Sequence, residues 1–349
     1  MDQNLSPIAC CWCFKNRGLI LDAMQCGRKE EGACPNCGRT DGIKLGMAPL
    51  RFLVHRFFVD GSFHRTEYGG ASVVQINSHQ KTTIRGDEKL NEDIGLLERL
   101  LGVGFFHYGP RLWMVGQNDQ LLALESRDKR GAVVRRIISE YPARVVATSE
   151  TFYRVRKDPG RPQDQSEYDS PPTTVQQGRR FGGPVLYASP LIDLCIHECR
   201  YTAEDDLYVA ALNPARPLNL LDLTHLLRED SVNEFTSLDI ALNFLFLAGE
   251  HAYPITRDIA GAAKSAGFDG IVYPSYFSLL MSGHMPYRTS YGISHRVVEQ
   301  LQDAEESMSL PNIAIFGRPL EDGIVSVDSI NRLLIRRVDY EFHFGPLVD

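Results

Sequence analysis

Six of the eight cysteines fall within residues 10–37, and four of these form two C-x-x-C pairs, Cys10 with Cys13 and Cys34 with Cys37, twenty residues apart. Each pair can present two thiolates from one tight knuckle, and two knuckles close a tetrahedron around a single Zn2+. The spacing is that of a zinc ribbon, in which intervening strands bring the knuckles together. Pro35 and Gly38 suit a second knuckle that turns tightly enough for its amides to point at the sulfurs. Cys11 and Cys26 are left over, and either could replace one of the four. A disulfide framework would need an exported chain, and the opening Met-Asp-Gln-Asn-Leu-Ser has neither part of a signal peptide. The ribbon reads first as a structural staple for a piece too small to build its own core. Docking a partner or nucleic acid is the alternative, and the near balance of charges in this segment gives no support to phosphate binding.

At 349 residues the chain exceeds the usual single domain, which predicts two folded units. A formal charge of -7 argues against a nucleic-acid binder that works through bulk electrostatics. No apolar run approaches a membrane span, so the expected location is cytoplasmic, without a membrane partner. Residues 48–60 read as helical or as a buried mixed element, residues 90–101 have clear helical periodicity, residues 130–141 read as a short helix, and residues 69–85 are more strand-like. The expected domains are a zinc ribbon over 1–46, a mostly helical accessory domain over 47–145 and an α+β domain with a mixed β-sheet core over 146–349.

In the last of these, short apolar runs separated by turn residues predict strands at 152–155, 184–188, 207–212, 218–223, 270–273 and 312–316. Ser189, with Pro190 after it, is the expected N-cap of one helix. Thr236 or Ser237 should cap a long apolar helix to 247, and Thr256 a helix over 259–266 closed by Gly267. Residues 157–178 are polar, proline-bearing and unperiodic, which predicts a mobile loop, either a surface insertion or a lid.

One carboxylate stands out. In the helix expected over 190–200, Leu191, Ile192, Leu194, Cys195 and Cys199 form one arc, and Glu198 falls between Leu194 and Leu191. An ionised carboxylate aimed into a core costs several kcal/mol unless partnered, so the fold should bring a cation, hydroxyls or a ligand to it.

Four motifs then come in order: FYRVR with Arg154, GRRFGGPVLYAS with Arg180 and Tyr187, Glu198 eleven residues after that tyrosine, and GFDGIVYPS ending at Ser275. Their order resembles the RES family, named for an arginine, a glutamate and a serine, across residues 151–337. NIAIFGRPL looks like the closing strand. The resemblance implies an ADP-ribosyltransferase-like fold that consumes NAD, and the family includes toxins of bacterial toxin–antitoxin pairs. It implies Arg154, Glu198 and Ser275 as the three name residues, with Arg180 and Tyr187 supporting the pocket. The chain departs from the pattern in Val155, where an aromatic often follows the family arginine, in the long segment 276–310, and in its cysteine-bearing extension.

The chemistry suits those residue types. Cleaving a nicotinamide–ribose bond creates an oxocarbenium-like centre, which a carboxylate such as Glu198 stabilises. The planar forks of Arg154 and Arg180 suit a pyrophosphate. Tyr187 can stack on nicotinamide or bond a hydroxyl, and Ser275 can bond nicotinamide, phosphate or Glu198. The plain alternative is a buried Arg154–Glu198 ion pair that holds strand to helix. No glycine-rich dinucleotide fingerprint follows a strand, so NAD is expected as substrate and not as a redox cofactor. Three readings result: an NAD glycohydrolase or phosphorylase, a protein ADP-ribosyltransferase, and a binding module without turnover. A free NAD consumer implies a neutralising antitoxin or an activating protein partner, and the sequence leaves a homo-oligomer open.

Overall fold

The structure is a computed structural model that describes residues 6–66, 69–107, 118–171, 179–278, 288–290, 293–338 and 341–348. The chain divides into two compact units, one of Met1–Thr66, Gly70–Leu112 and Asp339–Asp349, the other of Glu67–Gly69 and Trp113–Val338. Among the described residues no helix is long and apolar enough to cross a membrane.

In the first unit, β1 (Ala9–Cys10) pairs antiparallel with β2 (Lys44–Leu45). Between the two knuckles the chain forms a helix, α1 (Arg17–Cys26), where strands were expected. The reason is local: the Asn16 side chain accepts from the amides of Gly18 and Leu19, and Leu19, Ile20 and Ala23 recur at helical spacing on the buried face. These three pack with Leu50 of α2 (Met47–Val54), with Phe57 and Phe58 in the π-helical turn after it, and with Leu97 of α3 (Glu88–Leu101). Asp87 caps α3 and Gly102, at φ 65°, closes it. The strand-like stretch holds β4 (Gly69–Ser72), which pairs with β3 (Phe63–Thr66), and β5 (Val74–Asn77), which pairs with β6 (Gly104–His107). The cysteine segment and the helical body therefore share one core, and the carboxylate of buried Asp93 ties them by accepting from the amides of Lys15 and Asn16 at 2.8 and 2.7 Å. Phe344 packs against this same core, with its amide donating to Asp22 at 3.1 Å.

The second unit contains two sheets. Strands β8 (Phe152–Lys157), β10 (Leu207–Pro214) and β16 (Val325–Leu333) form an antiparallel sheet in the order β16-β10-β8. The other sheet runs β7-β11-β12-β15-β9, from β7 (Ala143–Val146), β9 (Val185–Ala188), β11 (Leu218–Asp222), β12 (Gly270–Pro274) and β15 (Pro311–Phe316), and only β11 and β12 run parallel. All six expected strands are present. NIAIF lies inside the sheet and not at its close, because β16 comes after it on the other sheet. Val325–Leu333 and Ala143–Val146 escaped notice because polar residues alternate through them.

Phe152, Leu186, Leu212, Leu220, Val272 and Ile313 fill the space between the sheets. The opposite face of the larger sheet, with Leu221 and Ile271, is covered by α5 (Arg127–Glu140), which comes after α4 (Asp119–Glu125), and by two helices further along the chain. One is α7 (Leu238–Leu247), capped by Ser237, and the other is α8 (Tyr253–Ser265). A strand covered on both faces reads as a continuous apolar run, as Leu220–Leu221 and Ile271–Val272 do. Helix α8 begins before the expected Thr256 cap, with Pro254 in its first turn, and Thr256 instead donates to the carbonyl of Arg180. Gly267, at φ 90°, stands just past its end as expected. Residues 158–171 of the expected mobile loop are pinned: Tyr168 is fully buried, and Ser170 donates to Gly317 at 2.7 Å. Residues 172–178 of that loop, and 279–287 with 291–292 of the long segment 276–310, lie outside the described residues. The latter segment holds the antiparallel pair β13 (Thr289–Ser290) and β14 (Ile293–Ser294), is anchored through Arg296, whose fork meets buried Asp239 at 2.6 and 2.9 Å, and ends in α9 (Glu299–Ser307).

Candidate active site and metal centre

The cleft of the second unit forms where β12 ends and β15 begins, beside the helix that comes after β9. That helix, α6 (Ile192–Cys199), is shorter than expected, and its N-cap is Leu191. Ser189 sits two residues earlier, accepting from Leu191 and donating to the carbonyl of Pro311 at 3.1 Å. Of the expected apolar arc, Leu194 and Cys195 are buried, whereas Leu191 is 38 % exposed. Glu198 is exposed as well, and so does not point into a core. Its surroundings are polar: Oε1 accepts from the Ser275 hydroxyl and from the Asn312 amide at 2.5 Å. Both donors are buried, at 4 % and 3 % exposure, so their positions are fixed by the sheet. Asn312 stands opposite Tyr273 across the β12–β15 ladder, one residue from the strand end that presents Ser275. The carboxylate was thus correctly expected to find hydroxyl partners, but in an open cleft.

Arg154 lies on β8 and is 7 % exposed. It donates from Nη1 to the Tyr187 carbonyl at 3.1 Å and from Nη2 to the Asp169 carbonyl at 3.2 Å. Among the described residues it makes no ion pair with Glu198, which removes the buried-pair alternative. Burial, and next the charge of Arg156, bring its pKa down to about 10, which still leaves it charged at neutral pH. The Arg180 guanidinium lies between the rings of Phe246 and Tyr253, 5.5 and 5.3 Å from their centroids. The Tyr187 hydroxyl accepts from the Phe181 amide at 3.3 Å, and burial raises its pKa, so it stays neutral. Val155 packs with Cys195 of α6 where an aromatic would otherwise stand.

Arg154, Arg180, Tyr187 and Glu198 line one cleft of about 400 Å³, joined by Arg156, Arg179, Tyr253, Tyr276 and Asn312, and Pro274 at its edge brings Ser275 against Glu198. A larger groove of about 630 Å³, from Arg161 to Arg332 over β10 and β16, holds none of the five expected residues. Sequence reasoning missed Asn312, Arg156 and Arg179. Asn312 is a polar residue opening an apolar strand, and Arg156 shares the face of Arg154 two residues on; both were readable signals.

In the first unit the sulfurs of Cys10, Cys13, Cys34 and Cys37 all lie within 4.8 Å of one another. Cys10 is 3.8 Å from Cys13 and 3.5 Å from Cys37, and Cys13 is 3.6 Å from Cys34. A tetrahedron with Zn–S of about 2.3 Å has edges of roughly 3.8 Å, so the four sulfurs fit a zinc ion. Cys11 and Cys26 are not part of the group: the Cys11 sulfur accepts from the Ile43 amide at 3.3 Å. Burial raises the Cys13 thiol to about 11. Burial also opposes ionisation of Cys34, yet the backbone amides of Cys37 and Asn36 bring it down to about 7.

Residues 148–295 match the family model described as the RES domain. No curated protein matches the chain. Among solved structures it is similar to a chain in the crystal structure of the M. tuberculosis MbcT–MbcA toxin–antitoxin complex, at 14 % identity and a TM-score of 0.34, over 58 % of this chain and 92 % of that one. A likeness that distant carries no argument about activity.

Proposed function

We propose that this RES-domain protein cleaves the nicotinamide–ribose bond of NAD and transfers the ADP-ribosyl group to phosphate or water. The observation that carries the reading is the fixing of Glu198 by Ser275 and Asn312 on a cleft lined by four arginines. Two donors hold Oε1, and Oε2 has no protein partner among the described residues, so that oxygen is available to a substrate. As nicotinamide leaves, positive charge develops on the ribose, and a preoriented carboxylate stabilises it without having to reorganise. Arg154 and Arg180 put two guanidinium charges on the cleft wall, which suits a pyrophosphate. Tyr187 offers a neutral ring and hydroxyl to nicotinamide.

Zn2+ at Cys10, Cys13, Cys34 and Cys37 would supply a structural cross-link and no chemistry to the reaction. The reaction would drain the NAD of the cell that makes the enzyme, which places it in the cytoplasm under the control of a neutralising, antitoxin-like partner or of an activating protein.

The test is incubation of the purified, metal-replete protein with NAD, with and without phosphate, followed by chromatography. Nicotinamide should appear together with ADP-ribose in water and a phosphorylated ADP-ribose in phosphate. No loss of NAD under either condition would sink the enzyme reading, and label appearing on protein would move the acceptor to a polypeptide.

A further inference from the structure

The four arginines of the cleft are not equivalent. Arg154 commits both terminal nitrogens to carbonyls, and Arg180 is held between two rings with its Nη2 towards the carbonyls of Phe246 and Ala248 at 3.5 and 3.4 Å. Arg156 and Arg179 are half-buried, and among the described residues neither guanidinium has an acceptor or a carboxylate partner. Both are nevertheless well placed. Arg156 extends from the same face of β8 as Arg154, and the Arg179 carbonyl is gripped by the Arg257 side chain at 3.1 and 3.0 Å.

The wall they form has charge to spare. Glu198 is the single carboxylate that lines the cleft among the described residues, and Ser275 and Asn312 already occupy one of its oxygens. The charges of Arg156 and Arg179 both disfavour that of Arg154, opposed in part by Asp169 behind it, which sets three guanidinium groups close together on one wall. Buried Nε of Arg154 and Nη1 of Arg180 lack acceptors too among the described residues. A dinucleotide pyrophosphate carries about two negative charges, which Arg154 and Arg180 can meet, and it leaves the two complete forks of Arg156 and Arg179 unused.

We propose that Arg156 and Arg179 form a second phosphate subsite in the cleft, one that takes a phosphate dianion in addition to the dinucleotide pyrophosphate. Two sources share that chemistry: the 2′-phosphate of NADP, and free inorganic phosphate acting as acceptor. The inference builds on the reading of the cleft as a dinucleotide site, but its test needs no turnover.

The experiment is calorimetric titration of the full-length Glu198→Gln protein with inorganic phosphate, NAD and NADP, alone and with Arg156→Gln, Arg179→Gln or both added. Each arginine substitution should weaken one phosphate probe about tenfold or more, with NAD affinity changed by less than about threefold. Weakening confined to NADP identifies the 2′-phosphate as the source, and weakening confined to inorganic phosphate identifies the acceptor. Lysine at either position should restore part of the affinity, since charge returns without the fork. Equal losses for NAD and NADP with inorganic phosphate unaffected would put both side chains on the pyrophosphate and overturn the subsite. So would titrations in which the double variant matches its parent, or in which the parent binds neither phosphate probe. If phosphate binding depends on the pair while wild-type protein leaves NAD intact, the subsite stands and the enzyme reading falls.

Discussion

The two units gather their reactive side chains in opposite ways. In the first, four thiols, all groups of one kind, come together from two short knuckles within 4.8 Å of one another. In the second, one carboxylate is held by a hydroxyl just past β12 and an amide on β15, elements far from it in sequence, and the guanidinium groups of Arg154 and Arg180 are held by carbonyls and rings. A cluster of like groups needs an ion from outside to be stable, whereas the carboxylate has protein partners already. The first arrangement should therefore be lost with its metal, and the second should degrade one donor at a time.

The largest effect tests the metal side. Removing bound metal with a thiol-competing chelator, or substituting Cys10→Ser, should abolish the cooperative melting transition of the first unit, with a cost on the order of 10 kcal/mol. Elemental analysis should find about one zinc per chain. Metal-free protein with an unchanged calorimetric trace would break the contrast.

On the cleft side, Glu198→Gln should lower the rate of nicotinamide release about a thousandfold, read by single-turnover kinetics, with the melting temperature held. The amide keeps the shape but cannot carry the charge that opposes the oxocarbenium. Asn312→Ala should be milder, about 10- to 100-fold in kcat, because Ser275 still holds the carboxylate. An Asn312→Ala enzyme with wild-type kcat would show that the hydroxyl alone suffices.

The smallest effect concerns how the sheet beneath the cleft is pinned. Arg216 meets Asp269 at 2.6 and 3.0 Å, and the Asn219 amide donates to the same carboxylate at 2.8 Å, which ties the start of β11 to the start of β12. The Arg216 hydrogen bonds hold the Asp269 pKa below its ordinary value of about 3.9. Because the folded value lies below the unfolded one, the stabilisation is complete above about pH 4 and is lost as pH falls through the folded value. Asp269→Asn should thus cost about 1 kcal/mol at pH 7 and progressively less in acid, as denaturant titrations at pH 7 and pH 3 would read. A cost that stays constant across that range would assign it to packing.

Much of this was legible beforehand. Apolar runs named six strands of the second unit, and the two C-x-x-C pairs named the four clustered sulfurs. The order of four motifs pointed to the RES domain that residues 148–295 match. The misreadings have a common physical origin. Helix periodicity placed Glu198 on an apolar arc, but α6 is only eight residues long, and where such a helix ends against its sheet decides whether its last turn is covered. Residues 157–178 lack periodicity, yet Tyr168 is buried among long-range partners that composition does not reveal.

The sequence by itself determined which residue types stand at which short spacings, and so the knuckles, the strand set and the arginine-rich motifs, because these depend on backbone periodicity and local geometry alone. Only the tertiary structure decided that Asn312 shares Glu198 with Ser275, that Arg154 bonds carbonyls instead of pairing with Glu198, and that Arg156 and Arg179 find no acceptor among the described residues. Such pairings depend on which strand lies next to which. That ordering is settled by the burial of whole sheet faces, and no local run of residues encodes it.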